Sequence, residues 1–304
     1  MSSAGRSGAK VHGTHFQGPL LGNKGVFDDL PLGAIDNARS PYKIYYEDFQ
    51  EDAVDAQLET QGWTVTAINT PTAASEVVLG ANRALLLNPG SKVDSGSEIQ
   101  FNIPATAASV SGTHRVIPEI IQTATLFDNQ EIFFQVRMGT ASNLATANDG
   151  KWLLGYFVND TTLLSSTTGL PTVAAGGGFG FHKGETGAVT ALSTEAAITA
   201  AGTALSPAVT ELALVTNDVL EWHTYAARCR VIDASAGTGQ TDFWYDGVYS
   251  GSLATVPFDA TDTSSFTIAY LNGPVQIQDY HIDYILTGIT RPGLTWPYTD
   301  GTIY

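Results

Sequence analysis

Aromatic residues between positions 222 and 245 are the side chains of this sequence best suited to contact a ligand. Trp222, Phe243, Trp244 and Tyr245 carry flat rings that could stack on sugars. Aromatic residues that point inward from a strand, however, more often belong to a hydrophobic core. The sequence therefore leaves two interpretations open for Trp244 and Tyr245, which are core packing and contact with a carbohydrate.

Catalytic groups are not brought together by any spacing in the sequence. A glycosidase needs two carboxylates on opposite sides of one bond, and no strand carries acids at every second position. Asp246 in FWYDG is expected to form a hydrogen bond within a turn. There is no GxSxG motif, and the single cysteine, Cys229, lies on the apolar side of a strand-like run, where a thiol is inert. We therefore predict no catalytic residue and no enzymatic activity.

Metal and cofactor ligands are equally dispersed. Of the six histidines only His12 and His15 are close together, whereas a zinc site needs several His or Cys residues at short spacing. The acidic pairs do not follow the spacing of an EF-hand. The glycine-rich stretch at 174–180 lacks the lysine and hydroxyl residue of a phosphate-binding loop. The sequence thus predicts neither a metal site nor a cofactor.

The charge balance limits the possible partners. The 304 residues include 14 Lys and Arg against 30 Asp and Glu, which gives a formal net charge of −16. Such a chain repels phosphate backbones and anionic lipids, so we predict neither a nucleic-acid partner nor a membrane partner. The first ten residues lack the apolar segment of a secretory signal. We therefore expect synthesis in a host cytoplasm and, for a protein acting outside the cell, release by lysis.

Short alternating runs separated by turn residues predict an all-β fold. The stretch LEWHTYAARCRVID places Tyr225, Ala227 and Cys229 on one side and two arginines on the other, and YDG supplies a hairpin turn. Many short strands at such spacing favour a β-sandwich. The alanine- and threonine-rich segment Thr194–Val215 is compatible with a helical turn, a strand or a loop, so the structure of residues 185–217 stays open. Other runs predicted as strands are Ile132–Met138, Trp152–Val158, Phe179–Lys183, Asp242–Tyr245, Ser265–Leu271 and Val275–Ile289.

Both ends of the chain differ from this middle part in composition and in hydrophobic pattern. GTHFQGPLLGNKGVFDDLP, from Gly13 to Pro31, has glycine or proline every few residues and no sustained period. The C-terminal RPGLTWPYTDGTIY is similar. We therefore divide the chain into an extended N-terminal arm at 1–42, a sandwich at 43–290 and a C-terminal arm at 291–304. Apolar side chains on an arm that cannot form its own core are expected to be buried against a neighbour.

Several short strings resemble one group of jelly-roll proteins. YKIYYEDF, NRALLLNPG, EIFFQVRMG, WLLGYFVND, GGGFGFHKG, TDFWYDGVYSG and DYHIDYILTGI occur in an order similar to that of the concanavalin-like lectin and glucanase sandwich. More narrowly, they resemble its versions among virion structural proteins of tailed bacteriophages, in which an arm of the type GTHFxGP precedes the sandwich. The resemblance implies a jelly-roll β-sandwich. Neither the sugar-binding positions nor the glucanase acids of that fold can be placed on this chain.

The resemblance also implies a function. The expected protein is a capsid cement or decoration protein on the outer surface of the virion, where it binds the major capsid protein and associates with itself as a dimer or trimer. The arm residues expected to contact the capsid are His15, Phe16, Pro19, Leu20, Leu21, Val26, Phe27, Trp296 and Tyr298. The alternative is a phage tail or surface adhesin that binds carbohydrate through Trp244 and Tyr245. An endoglycanase or lyase is the weakest hypothesis because it needs a carboxylate pair or a Tyr/His base that the sequence does not locate.

Overall fold

The computed structural model describes the strands and tight turns of the chain. Its backbone is described at residues 42–47, 63–68, 76–79, 85–88, 96–101, 121–122, 128–140, 151–158, 163–164, 171–172, 177–184, 189–194, 200–201, 204–205, 210–215, 222–254, 263–271 and 280–290. Side chains are described from residue 128 onward within these ranges, except at 140, 200–201, 204–205, 210–215 and 263. Except for Tyr42, both predicted arms lie outside the described residues.

Eighteen strands make up the described part of the chain. They are β1 Tyr42–Glu47, β2 Trp63–Ile68, β3 Glu76–Leu79, β4 Leu85–Asn88, β5 Gly96–Phe101, β6 Ile121–Gln122, β7 Glu131–Thr140, β8 Lys151–Val158, β9 Gly178–Lys183, β10 Val189–Thr194, β11 Ala200–Ala201, β12 Ala204–Leu205, β13 Thr210–Val215, β14 His223–Asp233, β15 Thr238–Tyr245, β16 Val248–Leu253, β17 Thr263–Leu271 and β18 Tyr280–Thr290. No helix in these described ranges is long and apolar enough to cross a membrane.

Two eight-stranded antiparallel sheets contain all but the short β11–β12 pair. The first sheet has the order β16-β15-β14-β7-β18-β4-β3, and β1 also pairs with β18. The second sheet has the order β13-β10-β9-β8-β17-β5-β2, and β6 pairs with β17. Strands that neighbour each other in a sheet are often distant in sequence, as β7 is from both β14 and β18. The predicted all-β jelly-roll sandwich is confirmed.

Aromatic rings from the two sheets fill the space between them. Phe134 of β7 lies 5.5 Å, ring centre to ring centre, from Phe266 of β17 and 6.0 Å, edge-on, from Phe181 of β9. All three side chains are buried. Burial of each ring contributes on the order of 1.5–3 kcal/mol. A buried hydrogen bond between the hydroxyls of Tyr156 and Thr287 also joins the sheets, and burial raises the pKa of Tyr156 well above its usual value.

The far face of the second sheet carries a separate apolar cluster. Leu153 and Phe157 of β8 point away from the core and pack with Leu163 and Leu164, all of them buried. Leu164 forms an isolated bridge with Pro171. The chain after β8 therefore folds back and covers this face.

Strand boundaries in the structure differ from the predicted ones in a few places. The segment Thr194–Val215 contains β11, β12 and β13, so its described residues beyond β10 are strands rather than helix. The turn before β15 is confined to residues 234–237, so that strand begins at Thr238 and not at Asp242. The predicted Asp-Gly turn is confirmed, because Asp246 and Gly247 both have positive φ angles, of 50° and 73°, as a two-residue hairpin of this hand requires.

Close approach of β8 and β9 depends on glycine. Gly180 faces Gly155 in the ladder, and a Cβ on Gly180 would overlap the carbonyl oxygen of Leu154. Because backbone atoms cannot move aside, we expect Gly180→Ala to lower the free energy of unfolding by about 3 kcal/mol. Gly237 is the control, since it has a φ of 64° and open space around it, and its replacement by alanine should cost about 1 kcal/mol. Equal losses in equilibrium urea denaturation would contradict this account.

The thiol of Cys229 lies in the core, as predicted. Burial raises its pKa to about 12. We expect no alkylation by iodoacetamide at about pH 8 in the folded protein and rapid alkylation in concentrated guanidinium, because only the thiolate reacts. The unfolded thiol has a lower pKa, so the contribution to stability is complete below about pH 9 and is lost as the pH rises toward 12. Mass spectrometry follows the alkylation. Rapid alkylation of the folded protein would contradict this expectation, because it would show that the core opens.

Candidate functional site

The outer face of the first sheet is where polar and aromatic side chains gather. Phe134 of β7 and Tyr225 of β14 point into the core, so Gln135, Arg137 and Thr224 point to the opposite side. The middle of this outer face is buried, as Gln135 shows with 9% exposure. One end is open, where β7 ends and β14 and β18 begin. We call this the Trp222 end.

Trp222, which immediately precedes β14, gives this end its exposed aromatic surface. Its indole is 39% exposed and lies directly against Gly139, where a Cβ would be 2.9 Å from the ring atom Cδ2. The guanidinium carbon of Arg137 is 5.1 Å from the ring centre. The ring of His281 meets the indole edge-on at 6.3 Å. The absence of a side chain at Gly139 is therefore what allows the indole to pack directly against the sheet.

An ion pair stands beside this indole. The guanidinium Nη1 of Arg137 donates to Oδ2 of Asp283 at 2.6 Å, and the two side chains are 42% and 39% exposed. The register of β7 and β18 shifts between Ile282 and Tyr284, so Asp283 is the extra residue of a β-bulge. Because Ile282 and Ile285 both point into the core, the bulge leaves Asp283 and Tyr284 together on the outer face, beside Arg137.

Polar groups continue below the ion pair. The side-chain amide Nε2 of Gln135 donates to the hydroxyl of Tyr284 at 2.6 Å. Burial raises the pKa of Tyr284, and the hydrogen bonds with Gln135 and Thr224 and the nearby Arg137 oppose the shift. The phenol therefore stays protonated at neutral pH and keeps a fixed place in the floor of the site.

The start of β14 is tied to the β15–β16 hairpin. Asp246 accepts hydrogen bonds from the backbone N–H of Thr224 through Oδ1 and from Nδ1 of His223 through Oδ2, both at 2.8 Å. The backbone N–H of Asp246 donates to the carbonyl oxygen of Thr224 at 2.8 Å. The imidazole of His223 also stacks on Tyr245, with ring centres 5.0 Å apart. These contacts fix the strand residues that directly follow Trp222.

The residues predicted to contact sugar lie on opposite faces of β15. Trp244 is on the outer face but only 4% exposed, between Tyr249, whose ring centre is 5.7 Å away, and the guanidinium of Arg228 at 5.8 Å. Tyr245 is half-buried and packs against the core. Sugar contact by these two residues stays a prediction, while the exposed rings are those of Trp222 and Tyr249. The arm residues predicted to contact a capsid (His15, Phe16, Pro19, Leu20, Leu21, Val26, Phe27, Trp296 and Tyr298) lie outside the described residues.

The arrangement at the Trp222 end is suited to non-covalent recognition. It offers an exposed flat ring, hydrogen-bond donors on Arg137 and acceptors on Asp283. Within the part of the chain that the structure describes, no group of three or more His, Cys, Asp or Glu side chains could hold a metal ion.

Neither a protein-family model nor a curated protein matches the sequence. Solved structures that resemble the chain include the following three, each at 13% identity. The endo-1,3-beta-glucanase from Streptomyces sioyaensis has a TM-score of 0.49 and covers 83% of this chain and 98% of its own. The carbohydrate recognition domain of Emp46p in its potassium-bound form has a TM-score of 0.49 and covers 79% and 94%. The CBM2 module of the evolved Dit of Lactobacillus casei BL23 phage J-1 has a TM-score of 0.43 and covers 84% and 99%. Likeness at this level assigns no function to the chain.

Sequence reasoning found only part of the site. It named Trp222 among the rings that could stack on sugars, but it missed Arg137, His281 and Asp283. A signal for Arg137 was present, because EIFFQVRMG places glutamine and arginine two residues apart, and therefore on one face of a strand. The partnership with Asp283 had no such signal, since it depends on pairing across 146 residues and on a bulge.

We expect the Asp246 anchor to stabilise the site measurably. Asp246→Ala removes both side-chain acceptors and places alanine at a positive φ, so the free energy of unfolding should fall by about 2 kcal/mol. Asp246→Asn is the matched variant, because asparagine tolerates the turn conformation and keeps one acceptor for the N–H of Thr224. It should cost less than about 1 kcal/mol. Equal losses for the two variants in chemical denaturation would show that the charge, rather than the turn and its acceptor, stabilises the hairpin.

Proposed function

We propose that this protein binds glycans without catalysing a reaction on them, and that the Trp222 end of the outer face is the binding site. The observation that carries the proposal is Trp222, whose indole packs directly against Gly139 while the residue stays 39% exposed. A sugar ring has an apolar face that packs on such a surface, and hydroxyl groups at its edge. An exposed tryptophan bordered by polar groups therefore fits a pyranose.

The groups around the indole supply the polar part of that contact. The guanidinium of Arg137 has five N–H donors and the carboxylate of Asp283 has several acceptor positions, and their mutual hydrogen bond uses only some of them. Both side chains are more than one-third exposed. A sugar hydroxyl can donate and accept at once, so neighbouring donors and acceptors of this kind match it.

The proposal agrees with the adhesin alternative derived from the sequence, but it assigns the main sugar contact to a different residue. The contact passes from Trp244, which is buried, to Trp222, which is exposed. Attachment to a major capsid protein, self-association and a place on the outer virion surface remain predictions based on the sequence resemblance. They depend on arms that lie outside the described residues.

Replacement of Trp222 tests the proposed function. We expect Trp222→Ala to weaken binding to any glycan that the protein retains by at least about tenfold, as is usual when a central tryptophan is removed from an interface. Isothermal titration with ligands found on a glycan array would measure the loss.

Ile232→Ala is the matched control. Like Trp222, Ile232 is an exposed apolar residue, with 54% exposure. It belongs to β14 and lies ten positions, about 33 Å along the strand, from Trp222. Its replacement should leave affinity unchanged, and both variants should keep the melting temperature of the natural protein within a few degrees. An array without any retained glycan, or unchanged affinity of Trp222→Ala, would overturn the proposal.

A further inference from the structure

The electrostatics of the Trp222 end point to the class of glycan. Arg137 is the cationic side chain beside the indole, and its charge is neutralised by Asp283 at 2.6 Å. Asp246 lies on the neighbouring hairpin and is bonded to His223 and Thr224. Without the histidines, Arg137, Asp283 and Asp246 together carry a formal net charge of −1. The described residues of the site therefore supply no excess of positive charge, which a carboxylate or sulfate group needs.

The remainder of the protein strengthens this bias. The chain has a formal net charge of −16, so its field repels a polyanionic polymer before contact is made. Charge alone would favour a cationic amino sugar. A cation on the indole, however, would lie near the guanidinium of Arg137, which is 5.1 Å from the ring centre. A second cation there would be repelled at short range.

We propose that the site binds neutral glycans and that Asp283 is the residue that determines this specificity. This inference rests on the proposed glycan-binding function. Asp283 holds the guanidinium of Arg137 in a charge-neutral pair, so Arg137 offers donors to sugar hydroxyls without attracting uronic acids. The bulge in β18 lets Asp283 share the outer face with Tyr284, so that both side chains lie beside Arg137.

Binding of the full-length protein to three classes of immobilised polysaccharide tests the inference. The neutral class contains a β-glucan, a mannan and a xylan, and the anionic polymer is polygalacturonate. The cationic polymer is chitosan methylated to its quaternary ammonium form, which stays charged at every pH. Measurements are made at about pH 8, which in general favours the uncharged form of imidazole. Each is made at low salt and at about 0.3 M sodium chloride, because screening removes the binding of exposed charges.

Asp283→Asn is the decisive variant, and Asp242→Asn is its control. Asparagine has nearly the shape of aspartate, so Asp283→Asn frees the charge of Arg137 with little change in packing. Asp242 lies on the same sheet beside Gln240, whose side-chain amide donates to it at 2.6 Å, and its replacement changes the net charge of the protein equally at a site away from Trp222. Melting temperatures of both variants establish that they are folded.

We expect the natural protein to bind at least one neutral polymer equally well at both salt concentrations and to retain neither polygalacturonate nor chitosan. Asp283→Asn should bind polygalacturonate at least about fivefold more strongly than Asp242→Asn at low salt, and this gain should disappear at high salt. Salt-sensitive retention of polygalacturonate or chitosan by the natural protein, or equal behaviour of the two variants, would overturn the inference while leaving glycan binding in place. Failure of the natural protein to retain any polymer would instead reject the proposed function itself.

Discussion

Packing of Phe134 between the two sheets determines the orientation of the whole first sheet. Its ring contacts Phe181 and Phe266 of the second sheet in a fully buried position. Because side chains alternate along a strand, an inward Phe134 requires an outward Gln135 and an inward Val136, and so on to Arg137. A shift of one residue in register would bury the arginine and expose the phenylalanine. The position of the candidate site is thus a consequence of core packing.

The bulge in β18 adds the one feature that alternation cannot supply. Ile282 and Ile285 both point into the core, which strict alternation does not allow for residues three positions apart. The register shift between Ile282 and Tyr284 instead leaves Asp283 as an extra residue, and its carboxylate meets Arg137. The same shift lets Tyr284 pair with Arg137 across the ladder and reach Gln135. The polar floor of the site and its ion pair therefore have a common origin.

The elements of the fold could be predicted from the sequence because their signals are local. Alternation in LEWHTYAARCRVID gave both β14 and its inward face, including the buried Cys229, and the Asp-Gly pair gave the hairpin. Strands β10 and β13 were not resolved from the sequence, because alanine and threonine have little contrast in hydrophobicity. The site was found only in part, because it joins β7, β14 and β18, and which strands become neighbours is decided by packing over long sequence separations.

In a sandwich of this kind, the side chains that stabilise the fold and those that can bind a ligand lie on different faces of a sheet. Inward side chains are constrained by the close packing of the aromatic core, whereas outward side chains at an open end of a sheet are constrained only by their neighbours. Trp222, Arg137 and Asp283 all belong to the second group, and each is more than one-third exposed. Substitutions there are expected to change what the sheet binds with little effect on whether it folds. Gly139 is the exception, because it has no side chain and yet determines where the indole lies. The backbone of the sheet therefore forms part of the binding surface.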